Sequence, residues 1–395
     1  MTHRRRPETS LAHAGRDPWN NHGILNPPVY HASTIASRTL ADWEARESRR
    51  FETYTYGRIG TPTSEAFESA MAESEGGYRA VSVSSGLSAI TTALLAFLKG
   101  GDHLLMVDTA YGPTRRFCDV MLKRYGVETT YYDPLVGADI AALVRPTTRV
   151  IFLESPGSLT FEVQDVPAIA AVARDRGIVT MIDNTWATPL FFRPIEHGVD
   201  LSIHAATKYI CGHSDVNLGV VIARDHETFL KVKTASSVLG VCAGPDDLYL
   251  GARGLRTLAA RMARHQENAL TVAGWMQSRP EVDRVLYPAL PADPGHALWR
   301  RDFAGACGLF SAVLRPVSKP ALAAMVDGLE LFPLGASWGG YESLIMTADP
   351  AHTRSATPWT AEGPMLRLHI GLEDPVDLIG DLTAGFERMA AHATV

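Results

Sequence analysis

Apolar and polar positions fall into three regimes along the chain. From Ser64 to about Ala223, short apolar runs alternate with helix-like segments, and the runs read as strands at Arg79–Ser84, His103–Asp108, Glu128–Tyr132, Thr148–Glu154, Ile178–Asp183, Leu201–His204 and Gly219–Ala223. Helices fall between most of them, which predicts an α/β fold with an open, mostly parallel central sheet and helices on both faces. Ser88–Leu98 is a clear helix candidate: it follows a Ser-Ser-Gly turn, is dominated by Ala and Leu, and stops at Gly100-Gly101. Its N-terminus is left free to face a ligand.

Residues 1–60 differ. They are rich in Pro, Asn, aromatics and Arg, as in Asn26-Pro27-Pro28-Val29-Tyr30, and show little helical periodicity before Ala41–Arg50. This predicts an extended arm that needs a surface to lie on. Beyond about Arg253 a long helical stretch runs through Arg264 to Met276, followed by Glu281–Val285 and a Pro-rich turn at Pro288–Pro294. A smaller α/β region fills the C-terminus. The expected division is an arm at 1–60, a large domain at 61–252 and a C-terminal substrate-side domain at 253–395. A length of 395 residues agrees with more than one core.

Composition narrows the function classes by exclusion. With 46% hydrophobic and 20% charged residues the chain is an ordinary globular protein. A net charge of -6 gives no basic footprint for nucleic acid, and the Arg4–Arg6 run is a short, solvated tail. Cys118, Cys211, Cys242 and Cys307 lack the paired spacing of a zinc or redox motif and read as reduced packing residues. No second histidine of a zinc-protease helix follows His226-Glu227, and His213 with Asp215 makes no convincing ligand set, so no metal is expected. No signal-peptide stretch and no membrane-length apolar run is found, which predicts a cytoplasmic protein without a membrane partner.

Candidate chemistry centres on the apolar strand that runs through Ser202 and His204 into Thr207-Lys208. An isolated lysine is usually a solvated surface charge, and an isolated Asp183 is as readily a helix cap or turn former. Together they read differently, because ligands in open α/β sheets sit beyond the carboxyl ends of strands. There a lysine can form a Schiff base with an aldehyde, while an aspartate pairs with a protonated heterocyclic nitrogen. Ser84-Ser85-Gly86-Leu87-Ser88 is either a serine-rich helix cap or a helix start whose N–H groups cradle a phosphate. Thr207 adds a hydroxyl, Tyr54–Arg58 adds phenols and a guanidinium from the arm, and Tyr111 offers a face to stack on a flat ring.

In this combination the chain resembles the Cys/Met-metabolism family of pyridoxal 5'-phosphate (PLP) enzymes, of the aspartate-aminotransferase fold type (fold type I), and most closely its β-lyase branch. The resemblance spans nearly the whole chain: His13–Arg16, Asn26–Tyr30, Tyr54–Arg58, Ser85-Gly86, Asp108–Gly112, Ile182–Trp186, Ala206–Tyr209, Gly212–Asp215, Arg253–Leu258, Ser337–Leu344 and Arg367–Asp374. It implies that Lys208 carries PLP, Asp183 pairs with the ring nitrogen, Tyr111 stacks on the ring, and Gly86, Leu87 and Thr207 hold the phosphate. Tyr56 and Arg58 match positions that reach the phosphate of a neighbouring subunit, implying a homo-oligomer, by family habit a tetramer built of dimers that share active sites. Catalytic roles fall to Lys208, Tyr111 and Tyr56. Arg367 matches the arginine that takes the substrate α-carboxylate, with Ser337 and Trp338 beside it.

The activity implied is cleavage of an amino-acid thioether, L-cystathionine, to L-homocysteine, pyruvate and ammonia. The alternatives are a broader cysteine-S-conjugate lyase, γ-carbon chemistry as in a cystathionine γ-synthase or γ-lyase, and, less favoured because no catalytic residue is missing, a regulator without turnover. Trp338, and the lack of Asn-Pro in Glu154–Leu159, resemble the β-lyases rather than their γ relatives. Two positions depart from the pattern. Ala336 stands where enteric β-lyases have tyrosine, and Ala205 stands where many relatives place a phosphate-binding serine, at a cost of one hydrogen bond, ~0.5–1.5 kcal/mol.

Overall fold

A computed structural model describes residues 6–392, so Arg4 and Arg5 of the basic run lie outside the described residues. Seven strands form the larger sheet: β1 (Arg79–Val83), β2 (His103–Val107), β3 (Glu128–Tyr132), β4 (Thr148–Glu154), β5 (Val179–Asp183), β6 (Leu201–Ala205) and β7 (Gly219–Ala223). Their spatial order is β1-β7-β6-β5-β4-β2-β3. The run from β6 to β3 is parallel, and β7 pairs antiparallel with both β1 and β6. β2 and β7 are buried at every position, as expected for apolar strands covered by helices on both faces. This strand order agrees with the fold that the resemblance implies, and each strand lies within a residue of its sequence-based bounds.

The smaller sheet joins β8 (Val282–Leu286), β9 (Leu309–Leu314), β10 (Leu344–Ala348) and β11 (Met365–His369) in the antiparallel order β10-β11-β9-β8. Trp186, just past β5, donates its indole N–H to Leu309 O at 3.1 Å and ties the two sheets together beside the cavity described below.

Helix starts depart most from the expected ones. The first helix after β1 begins at Gly86, because Ser85 rather than a later residue caps it, accepting from Ser88 N at 3.1 Å. The long helix runs from Pro245 to Gln277, with Pro245 in the first turn where its missing N–H costs nothing. Gly251 and Gly254 obscure its first turns in the sequence, yet both are needed for close packing: a Cβ at Gly254 would lie 2.1 Å from Ile210 O. The arm contains a helix that periodicity does not reveal, Pro7–His13. It lies on the long helix, where Arg256 Nη1 donates to Leu11 O at 2.9 Å and Ala14 O at 2.7 Å.

Candidate active site

Strand register delivers the floor of a cavity. Glu154 ends β4 and pairs directly with Asp183 at the end of β5, while β6 ends at Ala205. Lys208 follows in a turn closed by Lys208 N to Ala205 O at 3.0 Å and Gly212 N to Lys208 O at 2.8 Å. These residues, with Ser85, Gly86, Leu87, Tyr111, Thr207, Trp338 and Arg367, line one cavity of about 200 Å³ at the carboxyl ends of the parallel strands.

Lys208 Nζ donates to Ser337 Oγ at 2.7 Å and lies 5.3 Å from the Trp338 ring. Burial, reinforced by Arg367 and opposed by Asp183, brings its amine down to about 8. Asp183 is half-buried, and its desolvation pushes its carboxyl up; Thr185, through its hydroxyl at 2.5 Å and its N–H at 3.0 Å, pulls it partly back. Both Thr185 bonds go to Oδ1, and Oδ2 has no hydrogen-bond donor within the described chain. A cationic donor in the cavity would complete this carboxylate. At the other end, the helix Gly86–Phe97 presents its first, unpaired N–H groups. Gly86 is required there, since a Cβ would meet Ala205 Cβ at 2.4 Å. A flat ring carrying an aldehyde, a basic nitrogen and a phosphate therefore finds a lysine, an unfilled carboxylate oxygen and an anion cradle in one space.

Arg367 is buried, which lowers its guanidinium to about 10, and it stays cationic. Its Nη2 donates to Ala336 O at 3.0 Å and Ser337 O at 3.3 Å, leaving Nε and Nη1 unengaged. Tyr111 is held by its backbone N–H, which donates to Glu154 Oε2 at 2.7 Å. Burial, then Asp183 and Glu154, raise its phenol, and Arg367 opposes them. The Ser337–Gly340 loop rests on the lysine itself: Gly339 has φ +90°, and a Cβ there would lie 2.8 Å from Lys208 C. His369, fully buried on β11, contacts the same loop through Gly339 N and Gly340 O, each at 3.1 Å from Nε2.

Not every residue singled out from the sequence reaches this cavity. Within one protomer Tyr56 and Arg58 line a separate space of about 350 Å³ with Glu68, Lys233 and Cys242, and Arg58 Nη1 donates to Ser237 O at 2.7 Å. Thr207 lines the main cavity, but its hydroxyl already donates to Leu218 O at 3.2 Å and accepts from Leu218 N at 2.9 Å. Two polar residues of the cavity wall went unrecognised as site candidates, Glu154 and Asn217. Glu154 sits at a strand end like Asp183, so the same signal pointed to it. Asn217 lines the cavity beside Ala205 and Thr207, its carboxamide unpartnered among the described residues, and nothing local in the sequence marks it.

Fold and site together define a PLP-dependent enzyme. The family described as Cys/Met metabolism PLP-dependent enzyme matches residues 8–387, and the chain belongs to it. Escherichia coli cystathionine beta-lyase is 42% identical over 389 residues, covering 97% of this chain and 98% of that one. The L-alanine/L-glutamate racemase of Wolbachia pipientis is 43% identical, with 97% of each chain covered. Among solved structures, the cystathionine gamma synthase of Xanthomonas oryzae pv. oryzae, in complex with aminoacrylate and cysteine, superposes with a TM-score of 0.90 at 34% identity, covering 98% of this chain and all of that one.

Proposed function

We propose that the enzyme is a β-lyase that converts L-cystathionine and water to L-homocysteine, pyruvate and ammonia, a step of methionine biosynthesis carried out in the cytoplasm. The observation that carries this reading is the single cavity that holds Lys208 Nζ, Asp183 Oδ2 and the unengaged edge of Arg367. The guanidinium N–H groups of Arg367 that Ala336 O and Ser337 O leave free, Nη1 among them, take the substrate α-carboxylate. That places Cα over the floor, where the amine of Lys208, low enough to be neutral in part near neutral pH, removes the Cα proton. PLP, when bound, supplies the electron sink for the carbon that loses this proton. Asp183 Oδ2 holds the proton of the ring nitrogen. As the Cβ–S bond breaks, the Lys208 ammonium or the neutral Tyr111 phenol protonates the departing thiolate.

Gly86 and Leu87 N–H groups hold the phosphate, with Thr207 and the Asn217 carboxamide beside them. Tyr56 and Arg58, remote from their own Lys208, serve the site of a neighbouring protomer. The arm's exposed Trp19, Ile24, Leu25 and Trp43 supply apolar surface for that contact, and the assembly proposed is a tetramer of such dimers. Trp338 beside Lys208 Nζ, together with the E. coli relative, supports β- over γ-cleavage.

The test is product analysis of purified holoenzyme with L-cystathionine. Equimolar pyruvate and homocysteine are expected. A 2-oxobutyrate-type product would move the activity to the γ-carbon, and no ketoacid at all would sink the lyase reading. A second reading rests on Lys208 and Tyr111 both lining the cavity, which supplies two proton carriers around Cα, and on the Wolbachia relative. Formation of D-alanine from L-alanine, followed in the same preparation, decides it.

A further inference from the structure

Asp108 lies at the end of β2, three residues before Tyr111, and its carboxylate is completely buried. Both of its oxygens are occupied. Oδ1 accepts from Ser355 N at 2.9 Å, from Ser355 Oγ at 3.1 Å and from Arg115 Nη2; Oδ2 accepts from Ala356 N at 2.9 Å, Thr357 N at 3.0 Å and Thr357 Oγ1 at 3.3 Å. Burial alone would push this carboxyl up. The Ser355, Thr357 and Ala356 N–H groups and Arg115 more than offset that and hold it below the usual range, so it stays an anion.

All of these donors except Arg115 belong to the 349–364 connection, which runs directly into β11 and hence into Arg367. Arg354, at the start of the same stretch, lies 3.9 Å from Asp108 Oδ2 and donates to Glu162 Oε1 at 2.7 Å. The loop before Glu162 is joined to the Tyr111 loop by Ser158 N donating to Thr109 O at 2.8 Å. It also lines the cavity, through Pro156, Gly157, Ser158, Leu159 and Phe161. Asp108 thus joins the Tyr111 loop to the connection into β11, while Arg354 and Thr109 tie the cavity-lining 156–161 loop to that pair.

We propose that Asp108 is a positioning residue that latches the Tyr111 loop to the connection leading into Arg367, and so sets the gap in which an amino-acid substrate is held by its carboxylate. A generic core ion pair would not join these two loops in particular, nor use three successive backbone N–H groups of one of them. The inference rests on the proposed role of Arg367.

The test is Asp108→Asn in the holoenzyme. Asparagine keeps one acceptor oxygen and turns an NH2 toward donors on the other side, so the latch opens without loss of volume. Two readouts are used: the dissociation constant of L-alanine, titrated by the change it produces in the cofactor's visible absorbance, and amide exchange over residues 355–357. The latch predicts that L-alanine binding weakens about tenfold while the cofactor content per protomer is unchanged, and that exchange over 355–357 accelerates about tenfold. Faster exchange with unaltered L-alanine binding would overturn the proposal, as would no change in either.

If D108N fails to fold, Ser355→Ala with Thr357→Val removes only the hydroxyl donors, and a two- to threefold weakening, roughly, is expected; none would overturn the proposal. Arg367→Lys run in parallel separates the two ideas. L-alanine binding unaffected by R367K would sink the carboxylate reading, whereas weaker binding in R367K with D108N unchanged sinks the latch alone.

Discussion

On the floor of the cavity, Glu154, Asp183 and Lys208 arrive on or just beyond strand ends whose backbone ladders run through a fully buried core. On its walls, Tyr111, Ser337 and Trp338 sit on loops that are held by side chain–backbone contacts: Glu154 to Tyr111 N, Arg367 to Ser337 O, His369 to Gly339 N. The floor is placed by regular secondary structure and the walls by individual side chains. Substitutions on the floor should therefore change chemistry with geometry intact, whereas those on the walls should change how substrate is held.

The largest effect is expected from Lys208→Ala. Pyruvate formation should fall by about 10³-fold or more, with loss of the lysine-linked visible absorbance; retained turnover would break the distinction at its root. In the intact enzyme kcat should depend on the same amine. The neutral form is the base, so the rate falls as pH drops through about 8 and levels off above it, read from a pH–rate profile. Asp183→Asn comes next, with a loss in kcat of about 10²-fold and little change in KM, because it removes charge from the floor without moving a wall.

Ser337→Ala, a wall substitution, deletes the 2.7 Å bond to Lys208 and should cost about fivefold, mainly in KM. A kcat loss as large as that of D183N would place Ser337 on the floor functionally. The smallest effect concerns stability. Burial brings His265 to about 4 and His369 to about 3, against about 6.5 in an unfolded chain. The unfolded chain thus takes up protons first. The contribution of the neutral rings is complete above pH about 6.5 and is lost progressively as pH falls below it. Calorimetry between pH 7 and 5 should show a declining Tm, with a shallower decline in His265→Asn.

This contrast also governs what was legible in the sequence. The strands were, because buried parallel strands are uninterrupted apolar runs, and Lys208 and Asp183 were, because a charge that ends such a run is conspicuous. Asp108 ends its run in the same way, but its partners at 355–357 lie in a connection of the other sheet, and no local pattern announces a contact of that range. The Pro7–His13 helix escaped because it is too short to show periodicity and is held by Arg256. Tyr56 and Arg58 carry a different difficulty: their family pattern points to the cofactor, while their own protomer places them in another cavity.

The seating of Gly339 against the backbone of Lys208 divides the substrate loop into a closed and an open position. At 339 any side chain would press on the lysine and would also have to adopt a left-handed backbone, so that residue offers no route for adaptation. At 336 a small, exposed alanine sits next to the arginine edge, contributing to it only through its carbonyl, which any residue would supply equally well. Divergence among thioether substrates, in nature or by directed evolution, has an entry point at Ala336 that leaves the lysine undisturbed.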